Sequence, residues 1–327
     1  MSDLLGVKRK ISIATEDTLG VAATTGFRSA ILHTDGLQND VPPVEDPGIM
    51  GDMATEVKEI QGAYDIKGSL GDNTLYPTGA FPLILLHTLG SVSTEQQGST
   101  AAYKHTYAPV ARTNYGNTKG LTIASERDLS SAHIFTGCVS NKLTVKWTRG
   151  QVLTWVSEIF GIGQSTGDSP TLTKPTINPF VSFDVALTID GSSIPVDDGS
   201  LVIENNFNTD FYNGRSRLRF PRKDFMKITG SFSKKVLETA DEAKFFTKFK
   251  AHTSAALVIT VTGSQIEGAY NYVWYVSCPV IYYRDLGNFA NGGRDVPSLA
   301  ANFQAKGQAS GTEAISTYII NNETSVS

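Results

Sequence analysis

Between Tyr64 and Leu70 the chain alternates. Tyr64, Ile66 and Leu70 fall on one side of an extended backbone, and Asp65, Lys67 and Ser69 on the other, the period of a half-buried strand. The pattern returns in "MKITGSF": Met226, Ile228 and Phe232 stand at the matching places, and Gly230 precedes Ser231 as Gly68 precedes Ser69. Gly230 lies 162 residues after Gly68, about half of the 327-residue chain.

The order of elements repeats too. A helix follows each strand. In "GAFPLILLHTLG", Phe81, Leu85, Leu86 and Leu89 recur at helical spacing and Gly90 is the stop. In "ETADEAKFFTKFKAHT", Phe245, Phe246 and Phe249 share a face, Lys248 and Lys250 turn out, and Thr239 with Asp241 and Glu242 makes the start. Three strands come next in each half. "GLTIASE" matches "ALVITVTG", "AHIFTGCVSNKLTVKW" matches "AYNYVWYVSCPVIYY", and "VLTWVSEIFG" matches "SLAANFQAKG". The last pair is only 146 residues apart, so the first copy holds extra residues, assigned to the polar segment Ser91 to Lys119. "GIGQSTGDSPTLTKPTINP", Gly161 to Pro179, reads as a linker rich in Gly, Pro, Ser and Thr. The expectation is a mainly β protein of two tandem domains, 1–165 and 166–327, the second with a C-terminal tail. Each is a β-sandwich with one α-helix covering an edge or open face.

Composition agrees with β structure, with 30 glycines and only 18% charged residues. A formal net charge of -4 argues against a nucleic-acid grip, which needs a basic patch. There is no apolar run of transmembrane length, and "MSDLLGVKRKIS" has no signal-peptide core, which points to a cytoplasmic origin. Cys138 and Cys278 sit in strand-like surroundings and read as buried free thiols.

Candidate chemistry is sparse. His33, His87, His105, His133 and His252 lack metal spacing, and His87 and His252 fall near helix ends, where a cap is the plain reading. No G-x-S-x-G is present. "GIGQSTG" has a phosphate loop's glycines but no lysine, Asp197–Asp198 lies in a turn, and Trp147, Trp155 and Trp274 lie in strands rather than a cleft. No enzyme, cofactor or metal is expected.

On "GAYDIKGSL", "PLILLHTLGS", "YKHTYAP", "GLTIASE", "FTGCVSNKLTV", "LTWVSEIFGIG", "GSLVIENNFN" and "KITGSFSKKV", the chain resembles the tail tube proteins of long-tailed bacteriophages. The resemblance covers most of the chain. It implies a structural virion protein whose domains close into rings around a channel, the rings stacking into a conduit for DNA. Two domains per chain imply trimeric rings with a pseudo-sixfold wall. The partners implied are the chain itself, other tail proteins at the tube ends, and passing double-stranded DNA without specific binding. The place implied is the virion tail, assembled in the host cytoplasm. Another tail or head-completion component of the same fold is the alternative, and a carbohydrate-binding sandwich a more distant one. The strand-like run Ile315 to Ile320 is expected to add to a neighbour.

The two copies differ in charge. Asp35 to Glu56 carries Asp35, Asp40, Glu45, Asp46, Asp52 and Glu56 without a cation. Arg215 to Lys235 carries Arg215, Arg217, Arg219, Arg222, Lys223 and further lysines against Asp224 alone. Asp40, Glu45, Asp46, Asp52 and Glu56 facing Arg215, Arg217, Arg219, Arg222 and Lys223 are the expected inter-subunit contacts. Solvated loops, or a basic loop touching DNA, are the plainer reading.

Overall fold

The computed structural model describes residues 9–31, 34–45, 59–110, 119–127, 131–168, 170, 172, 175–210, 212–238, 241–287, 298–307 and 313–326. In the first half the strands are β1 (Lys10–Thr15), β2 (Arg28–Ala30), β3 (Thr34–Asp35), β4 (Gln38–Asp40), β5 (Pro43–Glu45), β6 (Glu59–Gln61) and β7 (Asp65–Thr74). Helix α1 (Ala80–Leu89) leads to β8 (Gly90–Gln96), β9 (Tyr103–Pro109), β10 (Leu121–Glu126), β11 (Ala132–Trp147), β12 (Thr154–Gly161) and β13 (Gly163–Gly167). The second half has β14 (Val185–Ile189), β15 (Ser192–Ile194), β16 (Gly199–Glu204), β17 (Tyr212–Asn213), β18 (Ser216–Arg217) and β19 (Lys227–Lys234). Its helix, α2, is a π-helical stretch, Glu242–Thr247, that runs into an α-turn, Lys248–Lys250. Then come β20 (Ala255–Glu267), β21 (Tyr270–Asp285), β22 (Leu299–Ala305) and β23 (Ser316–Asn321).

Every pairing is antiparallel, and the same order of pairings occurs twice. In the first half β2 pairs β1, β1 pairs β10, and β10 pairs the leading part of β11. The trailing part of β11 pairs β12, β12 pairs β7, and β7 pairs β3 and β4. In the second half the order is β15, β14, β20, β21, then β22, β19 and β16. β13 returns along the leading part of β11, and β23 along that of β21. Small details follow the repeat. Glu16 N–H donates to Gly120 O and Asp190 N–H to Ala256 O, each acceptor lying just before a strand leucine. Those leucines, Leu121 and Leu257, lie opposite Cys138 and Cys278. Both cysteines are free and buried, and burial pushes the Cys278 thiol up to about 12 and the Cys138 thiol well above its usual value.

The repeated glycine has a steric cause. A Cβ on Gly68 would lie 2.1 Å from Gly36 O, and one on Gly230 would lie 2.5 Å from Ser200 O. Gly68 lets the backbone between β3 and β4 come close, and Gly230 that of β16. The extra residues of the first copy include the hairpin β8–β9, inside the segment to which the changing offset assigned them.

Some expectations need correction. Gly163 to Gly167 is no linker but strand β13, and the expected boundary after residue 165 falls within it. An edge strand needs backbone groups, not apolar side chains, so "GQSTG" carries no periodic signal. The C-terminal run adds not to a neighbour but to the same chain, where β23 pairs both β21 and β9. Helix α1 has no single apolar face. It is buried nearly all round, with only Leu86 partly exposed, because β1, β2, β8, β9 and β11 surround it. Gly90, at φ 107°, ends it as expected and donates to Leu86 O. In α2 only Phe245 enters the core, while Phe246 and Phe249 are 37% and 41% exposed. The second half has no counterpart, among the described residues, of the hairpin that covers α1.

Candidate functional site

Among the described residues, two strand pairings join the halves. β16 of the second half pairs the trailing part of β11, from Lys142 opposite Glu204 to Trp147 opposite Gly199. One sheet therefore runs β4, β7, β12, β11, β16, β19, β22, β21, the same four-strand unit twice in a row. Asn205, just past β16, locks the joint. Its amide donates to Thr88 O at 2.9 Å and Ser140 O at 3.0 Å, and its Oδ1 accepts from Arg222 at 2.7 Å. Thr88 Oγ1 and Ser140 Oγ are 2.9 Å apart. Above this knot the Phe81 ring of α1 meets Trp274 of the second half edge-on at 5.5 Å, and Trp155 of its own half at 6.3 Å. Burial of such rings contributes about 1.5–3 kcal/mol each.

The second joint is β9 on β23. His105 bridges it, 2.9 Å from both Thr94 Oγ1 and Asn321 Oδ1. Beyond β23, Arg28 holds Glu323 at 2.6 Å and donates to Ser325 O, and Glu323 accepts from Gly79 N–H. Val326 is buried. The C-terminal tail thus clasps the first half.

The ends of the eight-strand sheet are open. Among the described residues β4 pairs only β7, and no strand covers β21 past Ile281 on the edge away from β22. The solvent face of this sheet is polar. Glu158, Lys142, Glu204 and Lys227 stand opposite one another across β12, β11, β16 and β19, alternating in sign, with Lys142 Nζ 3.3 Å from Glu158 Oε1. Thr144, Ser200, Thr229 and Ser231 share that face.

The basic segment meets residues Gln61 to Ile66 of its own chain, just past the acidic segment. Arg215 donates to Gln61 Oε1 at 3.2 Å, and its carbonyl accepts from Tyr64 N–H at 2.8 Å. Arg217 is buried, paired with Asp65 and bonded to Ile66 O and Thr209 O. Arg222 is buried too, on Asn205 and Val110 O. Arg219 and Lys223 are exposed. Asp40 is exposed, 3.9 Å from Lys67. Glu45 lies in β5 opposite Glu59, and Asp46, Asp52 and Glu56 lie outside the described residues. Beside these charges the hairpins β5–β6 and β17–β18 expose Val44, Ile60, Tyr212 and Leu218. The sequence did not mark Asn205 or Glu16, nor Asp65 as the partner of Arg217. Asn205 within "ENNFN" follows an apolar strand, but nothing marks one asparagine of three as buried.

Among the described residues no three His, Cys, Asp or Glu stand close enough to hold a metal. His87 does not cap its helix. It is buried 3.2 Å from Thr15 Oγ1, and burial lowers its pKa to about 3. His133 is held by Gln164 at 2.9 Å, and His252 stacks on Tyr282; His33 lies outside the described residues. Asp197 pairs Arg149, and all three tryptophans are buried.

A family model described as phage tail tube protein matches residues 6–305. The chain belongs to the phage tail tube protein family. No curated protein matches it. Membership gives a structural role in the tail tube, self-assembly, contact with other tail proteins and a place in the virion tail. An antiparallel, mainly β chain with paired edges inside and open edges at its ends suits a part that repeats. No helix among the described residues is long and apolar enough to cross a membrane.

Proposed function

We propose that three copies of this tail tube protein close into a ring of six like wall units, and that the rings stack into a conduit for DNA. The observation that carries the reading is the β16–β11 joint. It already splices one four-strand unit to the next. The open edge of β21 and the open edge of β4 are the same two kinds of edge, so one copy fits the next by the pairing used within the chain. Such a head-to-tail contact is heterologous, and it gives a ring when the rotation closes. Closure also removes the exposed edges.

The polar face of the sheet is the one we assign to the channel. Glu158, Lys142, Glu204 and Lys227 neutralise one another in register, which leaves few free cations to hold phosphate. Each unit is one domain, with the division after β13, between residues 167 and 180. Stacking falls to the hairpins β5–β6 and β17–β18, with Val44, Ile60, Tyr212 and Leu218 buried between rings and Asp40, Glu45, Asp46, Asp52, Glu56, Arg215, Arg219 and Lys223 setting register.

Electron cryomicroscopy of the purified protein tests this. Tubes with threefold layers and six similar lobes are expected. Six chains per layer would sink the trimer, and single rings that never stack would point to a tail-end component instead.

A further inference from the structure

We propose that the exposed face of α2, carrying Phe246 and Phe249, docks on the first half of a second copy of this chain. The inference rests on the ring reading above and names the surface that completes each chain-to-chain joint.

The internal joint shows what such a helix does. The end of α1 sits on Ser140, between the part of β11 that pairs β10 and the part that pairs β16. The arriving half supplies Asn205 to Thr88 and Ser140, and Trp274 to Phe81. α1 is buried by β1, β2, β8, β9 and β11 of its own half, and the other half adds Trp274 and Asn205 to it. α2 holds the same place in its own half. Phe245 packs on Phe232 at 5.9 Å and on Tyr283 at 5.8 Å. His252, at the helix end, stacks on Tyr282 at 5.1 Å. Tyr282 and Tyr283 lie where β21 leaves β20 and its edge opens. The end of α2 thus sits on an unfinished joint as the end of α1 sits on a finished one.

What remains of α2 at the surface carries two aromatics among Glu242, Thr247 and Lys250. Phe246 is 37% and Phe249 41% exposed, and Val236, in the turn before the helix, is 57% exposed. Of the lysines in the last turn, Lys248 is held by Asp190 and by Ser254 O, and Lys250 is exposed. The occupant is a second copy because the adjoining edge of β21 calls for one. Only Tyr282 to Asp285 remain for edge pairing there, and so short a strand pair is marginal alone. Burying two phenylalanines beside it supplies the apolar contact that α1 supplies inside the chain.

The test uses full-length protein with benzoylphenylalanine in place of Phe249, assembled from an equal mixture of nitrogen-14 and nitrogen-15 chains and irradiated. Mixed-isotope cross-links from position 249 to peptides within residues 10–167 are expected. Cross-links confined to one chain, or reaching only second-half peptides, overturn the proposal. In parallel, the double variant Phe246→Ser, Phe249→Ser should stay folded while its yield of tubes falls at least tenfold. Normal tubes from that variant overturn the surface and leave the ring reading standing. If the unaltered protein forms no rings, the ring reading itself fails, and this surface with it.

Discussion

Helices α1 and α2 follow equivalent strands and precede equivalent strands, yet they live in different surroundings. α1 is enclosed by the hairpin β8–β9, by its own sheet and by Trp274 and Asn205 of the other half. α2 buries Phe245 and leaves two more aromatics at the surface. A repeat makes two joints out of one design, and one chain can complete only the first. The half that contains the finished joint should therefore hold most of the monomer's stability. The half with the open edge should hold most of the assembly's.

The largest expected effect comes from truncating the aromatic on each helix. Phe81→Ala empties a fully buried site between two tryptophans and should cost about 3–5 kcal/mol. Phe249→Ala should cost the monomer under about 1 kcal/mol. Denaturant unfolding at concentrations too low for assembly measures both. Equal costs would break the comparison, since α2 would then be as embedded as α1.

A smaller contrast lies along the basic segment. Arg217 is buried on Asp65, two carbonyls and the rings of Phe160, Phe220 and Tyr212, so Arg217→Ala should destabilise the monomer by about 2–3 kcal/mol. That is toward the low side for a broken pair because Lys67, 2.5 Å away, still serves Asp65. Arg219, two residues on and exposed, should change monomer stability by no more than about 1 kcal/mol when replaced by Glu, and should slow tube growth at low salt. Unfolding curves and light scattering against ionic strength read the two. Tube growth by Arg219→Glu at the normal rate would remove this arginine from the stacking contacts.

Much of the architecture was legible because periodic burial leaves periodic sequence. The strand around Gly68, its echo around Gly230, the helix stop at Gly90 and the insertion after Ser91 all declared themselves in spacing. What stayed hidden lacks a period. β13 is held by backbone bonds to β11, so its side chains were free to be Gly, Gln, Ser and Thr. The partner of β23 proved to be the chain's own β9, more than two hundred residues away, and no local pattern encodes that. In "RSRLR" the three arginines look alike; only the fold turns Arg217 inward between Arg215 and Arg219. Asn205 is a single polar residue whose value comes from two carbonyls on different elements.

The smallest effect sets Glu16 against Asp190, the two acids at equivalent places after β1 and β14. Glu16 is buried, and that burial raises its pKa, although Gly137 N–H, Gly20 N–H and the Thr122 hydroxyl all donate to it. Asp190 also loses some hydration, but Lys248 and Ala256 N–H outweigh this and hold its pKa below the usual value. The linkage signs are opposite. Native Glu16 keeps its proton more tightly than the unfolded chain does, so its contribution to stability falls as pH rises from its ordinary value near 4.5 to its raised native value. Native Asp190 gives up its proton more readily, so its contribution is present above its ordinary value near 3.8 and is lost as pH falls through the lowered native value. Glu16→Gln should therefore become progressively more stable relative to the parent as pH rises through the first window. Its amide will meet Gly20 N–H donor to donor, which lowers stability by an amount that does not vary with pH and so leaves the slope readable. Asp190→Asn should become progressively less stable relative to the parent as pH rises through the second window. Urea unfolding of the three proteins between pH 3 and pH 7 separates the slopes. Slopes of the same sign would mean that the two acids share an environment as well as a place, and that the halves are more alike than their helices suggest.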